Sequence, residues 1–399
     1  MPSGPTRASG GAILALNAGS SSLKFGVYSA GDRHSMLLKG AIEKLDDAPH
    51  LTASGADGQT LADRHWGGAP PDHDELLGDV IDWIEDHLGR ESLGAAGHRI
   101  VHGGSRFAGA VRLTPQTIEA IAALTPLAPL HQPLGLAPVH ALGRVRPNLA
   151  QFACFDTAFH RDLAPPVSRY ALPLRYEEEG IRRYGFHGLS YEYIASRLDE
   201  LSPELPQRRT VVAHLGSGAS LCAMRDGRSH DTTMGFSALD GLVMSTRSGA
   251  IDPGILLYLL QEEGMSPKAL EELLYHRAGL LGVSGISGDV RELLASPEPR
   301  AREALELFAF HVARETAAMA NTLGGLELFV FTGGIGEHSA PVRQMIAERL
   351  AWLGAKLDGA ANAAGRDRLD APGSGVEIRV IATDEELTIA RQVAALRAA

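Results

Sequence analysis

The chain has 399 residues, more than one ordinary core holds, and 44% of them are hydrophobic, so two globular domains are expected. A formal net charge of −11 excludes general affinity for nucleic acid or anionic membranes, so any anionic ligand has to be held by a local basic group. Two cysteines, Cys154 and Cys222, exclude a disulfide framework and a cysteine zinc site.

Met1–Gly11, rich in Gly, Pro and Ser, reads as a flexible tail with no secretory signal pattern. No apolar run approaches the ~20 residues that span a bilayer, and a cytoplasmic location is expected. Ala12–Leu16 is apolar. Gly19, Ser20, Ser21 and Ser22 follow, and then Leu23, Phe25 and Val27 alternate with Lys24, Gly26 and Tyr28. That is strand, small-residue turn, strand. Such a turn offers backbone N–H groups and the Ser20 and Ser22 hydroxyls, and Lys24 adds a positive charge, which makes a cradle for phosphate. On this stretch alone an ordinary polar hairpin loop stays open. Met36–Leu45 predicts a third strand, and Asp46–Asp74 is rich in turn residues. Leu77, Ile81, Ile84 and Leu88 line one face of a helix over Glu75–Leu88, stopped by Gly89. Ala96–Gly104 reads as a strand entering a glycine turn, and Pro115 opens a helix that begins at Thr114. Leu127–Pro138 reads as a proline-rich loop carrying His131. Gln151–Phe155 reads as a strand that delivers Asp156.

The second half begins irregularly through Arg183, with a helix over Tyr191–Leu201. Thr210–Met224 then repeats the opening pattern: apolar strand, a turn of Gly216-Ser217-Gly218-Ala219-Ser220, and strand. Arg300–Leu323 is a core-facing helix with Leu305, Phe308, Val312 and Met319 along one side. Leu328–Phe331 leads into Gly333-Gly334-Ile335-Gly336 and a helix from Pro341, an arrangement that offers helix-terminus amides to a nucleotide. Ile378–Ile381 leads to Thr383-Asp384-Glu385-Glu386 and a final helix. Two phosphate-type hairpins, one in each half, predict a duplicated α/β fold with a nucleotide cleft. The P-loop and the protein-kinase catalytic loop are both absent. Ser21-Ser22-Leu23-Lys24 matches S-x-x-K, but neither S-D-N nor K-T-G completes that set.

Several longer stretches resemble the acetokinase family, within the actin-like and sugar-kinase ATPases. They include Asn17–Lys24, Gly97–Gly104, Ala128–Pro133, Phe155–His160, Arg182–Gly188 and His214–Gly218. Further ones are Asp231–Met234, Thr246–Pro253, Phe331–Glu337 and Thr383–Leu387, all in family order. The resemblance implies a duplicated actin-like (ribonuclease H-like) α/β fold. Its domains would be 1–155, completed by 386–399, and 156–385. It also implies ATP + acetate ⇌ ADP + acetyl phosphate with Mg²⁺ (Mn²⁺ as an alternative), in a homodimer binding neither nucleic acid nor membrane. A short-chain acyl kinase preferring propionate or butyrate is the rival within the family. A non-catalytic nucleotide-gated module is the rival from another class.

By position, the resemblance places Arg99 on the acetate carboxylate, and Val101, Leu130, Phe186 and Ala238 around its methyl group. His131, His187 and Arg247 would surround the transferring phosphoryl group, with Asp156 as the family's catalytic carboxylate. Asn17 and Glu385 take its metal-linked positions. Lys24, His214, Leu215, Gly216, Ser217, Gly218, Asp289, Val290, Arg291, Gly334, Ile335, Gly336, Glu337 and His338 align with nucleotide contacts. Taken singly, Arg99 and Arg247 read as surface ion-pair residues, the histidines as loop residues, and Asp156 and Glu385 as helix-terminal acids. Their joint placement inside matched motifs favours the functional reading. Three positions depart from the family pattern: Ser217 and His338, where Asn is usual, and Ala238, where Pro is usual.

Overall fold

The computed structural model describes residues 11–19, 22–31, 34–45, 47–67, 72–89 and 92–398. Ser20, residues 1–10 of the expected tail and residues 68–71 of the turn-rich stretch lie outside the described residues. By its contacts the chain divides into two compact units. One comprises the described residues up to Ala158 together with those from Asp384, and the other is Phe159–Thr383. The boundaries read from the sequence would assign Asp156 and Glu385 to the second unit, whereas both lie in the first.

The strands of the first unit are β1 (Ala12–Ala18), β2 (Ser22–Tyr28), β3 (Met36–Glu43), β4 (His50–Gly55), β5 (Thr60–His65), β6 (Leu93–Ile100), β7 (Val111–Arg112) and β8 (Ala150–Phe155). Among the described residues they form one sheet in the order β5-β4-β3-β2-β1-β6-β8-β7. β1, β2 and β3 are antiparallel neighbours, while β6 runs parallel to β1 and β8 parallel to β6. β1 is buried along Ala12–Leu16, as the near-continuous apolar run of a central strand requires. The helix Glu385–Ala398 returns to this unit and packs on β6. A Cβ at Gly97 would stand 2.4 Å from Ile389 Cγ2 and 2.7 Å from Val393 Cγ2, so only glycine lets that helix seat.

Two expectations are corrected here. The turn-rich stretch Asp46–Asp74 contains β4 and β5, because Leu51 and Ala53 enter the core with Leu76, Leu77, Val80 and Ile81. The alternate positions are polar, which hides the strands. His131 does not ride on a loop: it caps the helix Gln132–Val145, which contains Pro133 and Pro138. Pro133 lies in the first turn, where the missing N–H costs nothing. Pro138 removes an interior donor, and burial of Leu136, Val139 and Leu142 offsets that loss.

The second unit carries β9 (Thr210–Leu215), β10 (Ala219–Arg225), β11 (Arg228–Thr232), β12 (Leu328–Thr332) and β13 (Glu377–Val380), in the order β11-β10-β9-β12-β13. β9, β10 and β11 are antiparallel, and β12 and β13 are parallel to β9 and to each other. This repeats the order and sense of β3-β2-β1-β6-β8, so the duplication is a property of the topology as well as of the turns. The supposedly irregular stretch through Arg183 includes a short helix, Leu174–Glu178. The helix Pro299–Leu323 buries Leu305, Phe308, Val312 and Met319. No described helix is long and apolar enough to cross a membrane.

Three buried histidines give the fold a pH dependence. Burial pushes His98, His102 and His160 down to about 4. His160 Nε2 donates to the Phe186 carbonyl at 3.0 Å, so its Nδ1 accepts from Ser229 Oγ at 2.7 Å. The ring is held neutral. Below pH ~6.5 the unfolded chain binds protons that the folded chain refuses, so stability is full above that pH and falls from ~6.5 towards about 4. The thermal midpoint should drop through this window, and His160→Gln should flatten part of the drop. A midpoint constant from pH 7 to 4 would contradict this assignment.

Candidate active site

In the first unit the β1–β2 hairpin sets Asn17 opposite Lys24, and Gly19 N–H closes the turn on Ser22 O at 2.8 Å. Lys24 is exposed. Arg99, one residue from the end of β6, reaches Asp156 at the end of β8. Its Nε donates to Asp156 Oδ1 and Oδ2 at 3.2 and 3.0 Å, and its Nη2 donates to Oδ2 at 2.6 Å. Its Nη1 donates to Asn17 Oδ1 at 3.1 Å. Asn17 Nδ2 in turn donates to Glu385 Oε2 at 2.9 Å and Glu386 Oε1 at 3.1 Å. One network therefore joins Asn17, Arg99, Asp156, Glu385 and Glu386. Burial opposes the Arg99 charge, but Asp156 and then Glu385 hold the guanidinium above its usual range. Burial raises the Asp156 carboxyl, against the pull of the Arg99 charge and its hydrogen bonds. Glu386 is likewise raised, by burial and then by the Glu385 charge beside it.

Val101 is buried, and Leu130 and His131 are half-buried. The residue that ties their two segments together was given no role by the sequence reading. Buried Gln132 donates to His102 O at 2.9 Å and Ile121 O at 3.1 Å, and accepts from His102 N–H at 3.2 Å.

In the second unit His187 stands in the left-handed region, φ 59°, just before the helix Gly188–Leu201. A non-glycine residue there costs on the order of 1 kcal/mol or more, and side-chain bonds have to hold it. Its Nδ1 lies 2.8 Å from Ser220 Oγ, and Tyr191 Oη lies 2.5 Å from the same oxygen. Its ring stacks on His214 at 4.3 Å, and His214 Nδ1 lies 2.8 Å from Ser190 Oγ. A Cβ built on Gly218 would stand 3.3 Å from His187 Nε2 and 3.9 Å from Arg247 Nη1. The imidazole and the guanidinium thus flank the turn of the β9–β10 hairpin, where Gly216 N–H bonds Gly218 O at 3.0 Å. Arg247 Nη1 donates to Ala238 O at 3.2 Å, so the backbone at Ala238 helps to aim it. Phe186 and Leu215 are buried. Ser217 O accepts from Ser245 N–H at 3.2 Å. Ser190 and Tyr191 carried no motif signal, Ser220 was read only as part of the Gly216–Ser220 turn, and only the fold brings the three to the histidines.

The Gly334–His338 segment belongs to a short helix, Gly333–His338, and not to a turn before one. The Glu337 carboxylate points back into its own segment, accepting from Gly333 N–H at 2.9 Å and Thr383 N–H at 3.1 Å. Buried Arg343 donates to the carbonyls of Gly336 and Glu337 at 2.9 and 2.8 Å and pins the other end. Gly334 has open space at its Cβ position, and His338 is exposed. Asp289 caps the helix Val290–Ala295 and pairs with exposed Arg291 at 2.5 Å.

The duplicated strand order, with a glycine hairpin ending at a charged cluster in each unit, defines the class: a duplicated actin-like ATPase fold. The chain belongs to the acetokinase family, whose sequence model matches residues 12–391. It is 49% identical over 387 residues to an acetate kinase of Rhodopseudomonas palustris, covering 96% of this chain and 97% of that one. Among solved structures it is similar to a propionate kinase from Francisella tularensis (TM-score 0.89, 34% identity, 96% and 98% of the two chains). It is also similar to the acetate kinase of Porphyromonas gingivalis (TM-score 0.85, 33% identity, 97% and 100%).

Proposed function

We propose that the chain is an acetate kinase that moves the terminal phosphoryl group of ATP directly to acetate, giving acetyl phosphate and ADP. The observation that carries this reading is the pair of donors, His187 and Arg247, flanking the Gly218 turn. Phosphoryl transfer places charge on three equatorial oxygens and needs positioned cations and donors more than covalent help. Arg247 spans two oxygens with its fork, and His187 and His131 add single donors. Arg99 holds the acetate carboxylate, and Val101, Leu130, Phe186 and Ala238 enclose its methyl group. Acetate is already ionised at neutral pH, so its attack needs no general base. The three bonds that Asp156 accepts from Arg99 support a positioning role for this carboxylate rather than proton transfer.

The nucleotide is held by Lys24, Ser20, Ser22, the His214–Gly218 turn, Asp289–Arg291 and Gly334–His338. The bonds Glu337 already makes favour its shaping that last segment. Asn17, Glu385 and the adjacent Glu386 form a hard oxygen set, with the two carboxylates side by side on the Asn17 amide, which suits Mg²⁺. When bound, that ion supplies charge neutralisation at the nucleotide phosphates. Exposed Ile251, Ile255, Leu257 and Tyr258, along the helix Pro253–Gln261 and just before it, support a homodimer.

Tyr191 and Ser220 orient the His187 ring from behind. With Tyr191 donating to Ser220 and Ser220 donating to Nδ1, the Nε2 atom carries the proton and is a donor towards the transferring group. Ser220→Ala should lower turnover about tenfold, the worth of one ordering hydrogen bond, with nucleotide affinity unchanged. Full turnover in that variant would contradict the role. The function itself is tested by ADP release with acetate, propionate or butyrate as acceptor. Release that depends on the acid, with acetate used best, is expected. Release indifferent to all three acids would overturn the reading.

A further inference from the structure

The β4–β5 hairpin carries a cluster of side chains of metal-ligating type, in the first unit and remote in sequence from every candidate active-site residue. Register sets His50 directly opposite His65, and Asp63 opposite Thr52. Side chains of residues two apart in a strand share a face, so His50, Asp63 and His65 stand together. Leu51 and Ala53 face the other way, into the core, which leaves the three on the outer face. His50 Nε2 lies 2.7 Å from Asp63 Oδ1, and the His50 and His65 rings stack at 3.8 Å, 8° from parallel. One ligand atom from each lies within 4.8 Å of the other two. Glu43 on β3 is in register with His50 and supplies a further carboxylate on the same face.

We propose that His50, Asp63 and His65 form a binding site for a borderline divalent cation of the Zn²⁺ type. Two imidazoles and one carboxylate favour such ions over Mg²⁺, which prefers oxygen donors throughout. Tetrahedral bonds of about 2.0–2.1 Å hold donor atoms roughly 3.4 Å apart, so side-chain rotations alone close the site. The ion replaces the proton shared by His50 and Asp63, which leaves to solvent. The ring stack has to open, because lone pairs of parallel rings do not converge on one ion. His65 is exposed on β5, the edge strand, and turns without disturbing the core. Water or Glu43 completes the coordination. The bound ion would staple an edge hairpin of the sheet.

The test uses tag-free full-length protein in excess Mg²⁺, titrated with Zn²⁺ against a chromogenic chelator. His65→Ala and Asp63→Asn are compared with the parent and with His140→Ala, which removes an exposed histidine of the helix Gln132–Val145. The parent and His140→Ala should each bind one Zn²⁺ more than His65→Ala, and Asp63→Asn should bind that ion at least tenfold more weakly. Zn²⁺ should raise the thermal midpoint of the parent and leave that of His65→Ala unmoved. Cu²⁺ used as a probe should show two coupled nitrogens in the parent and one in His65→Ala. Equal Zn²⁺ uptake and an equal thermal shift in the parent and His65→Ala, whose metal-free circular dichroism should match, would overturn the proposal.

Discussion

Arg247→Ala and His187→Ala are each expected to lower turnover by about 10²–10³-fold, the usual effect of removing one donor aimed at transition-state charge. Nucleotide affinity should change far less. On the proposed reading the ground-state nucleotide would keep its contacts with the hairpin turn and the pinned Gly334–His338 segment, whereas the two lost donors would act on charge that develops during transfer. The geometry supports a shared role, since both side chains converge on the space beside Gly218. With both acting, as proposed, on one group of oxygens, the double variant should be less impaired than the product of the single losses. Single-turnover kinetics beside equilibrium nucleotide titration separates the two effects. Near-normal turnover in either variant would show that its side chain serves only the fold.

Arg99→Ala should be the most destabilising single change in the site, by about 3–5 kcal/mol, because it strands Asp156 as an uncompensated buried carboxylate. Asp156 is 1% exposed and accepts three bonds from that guanidinium, so water cannot replace the partner. The same change removes the proposed acetate-binding group, so the KM for acetate should rise as well. Arg99→Ala/Asp156→Asn separates the two effects. Neutralising the stranded acid should recover much of the stability, while acetate binding stays weak. Denaturant unfolding midpoints and acetate titrations measure both. A loss below about 1 kcal/mol in Arg99→Ala would mean that the pair is far better solvated than its burial indicates.

Much of this was legible in the residues. Strand–small-turn–strand at Ala12–Tyr28 and again at Thr210–Met224 revealed the duplication, because alternation and glycine turns are local signals. The β4–β5 hairpin was not legible, since its outward positions are His50, Thr52, Asp63 and His65, and polar residues there read as loop. Pro138 argued against a helix that tertiary burial nevertheless holds. Motifs named the charged candidates of the site but not the neighbours they meet. Ser190, Tyr191 and Arg343 lay outside every matched motif, and Gln132 and Ser220 lay inside recognised stretches without a role of their own. All five act through contacts between segments distant in the chain, which no local pattern encodes. Glu337 is the converse case: it stood inside a matched motif, but only the fold shows its carboxylate turned inward to Gly333 and Thr383.

The central claim, transfer of phosphate to acetate, is tested most directly by following the phosphorus nuclei themselves. The purified protein is incubated with ATP, Mg²⁺ and acetate and monitored by ³¹P NMR, with parallel samples lacking acetate or containing propionate. The account predicts an acetyl phosphate resonance growing in step with ADP, no inorganic phosphate burst, and no ATP loss when the acid is omitted. ADP and inorganic phosphate appearing equally with and without acetate would contradict it.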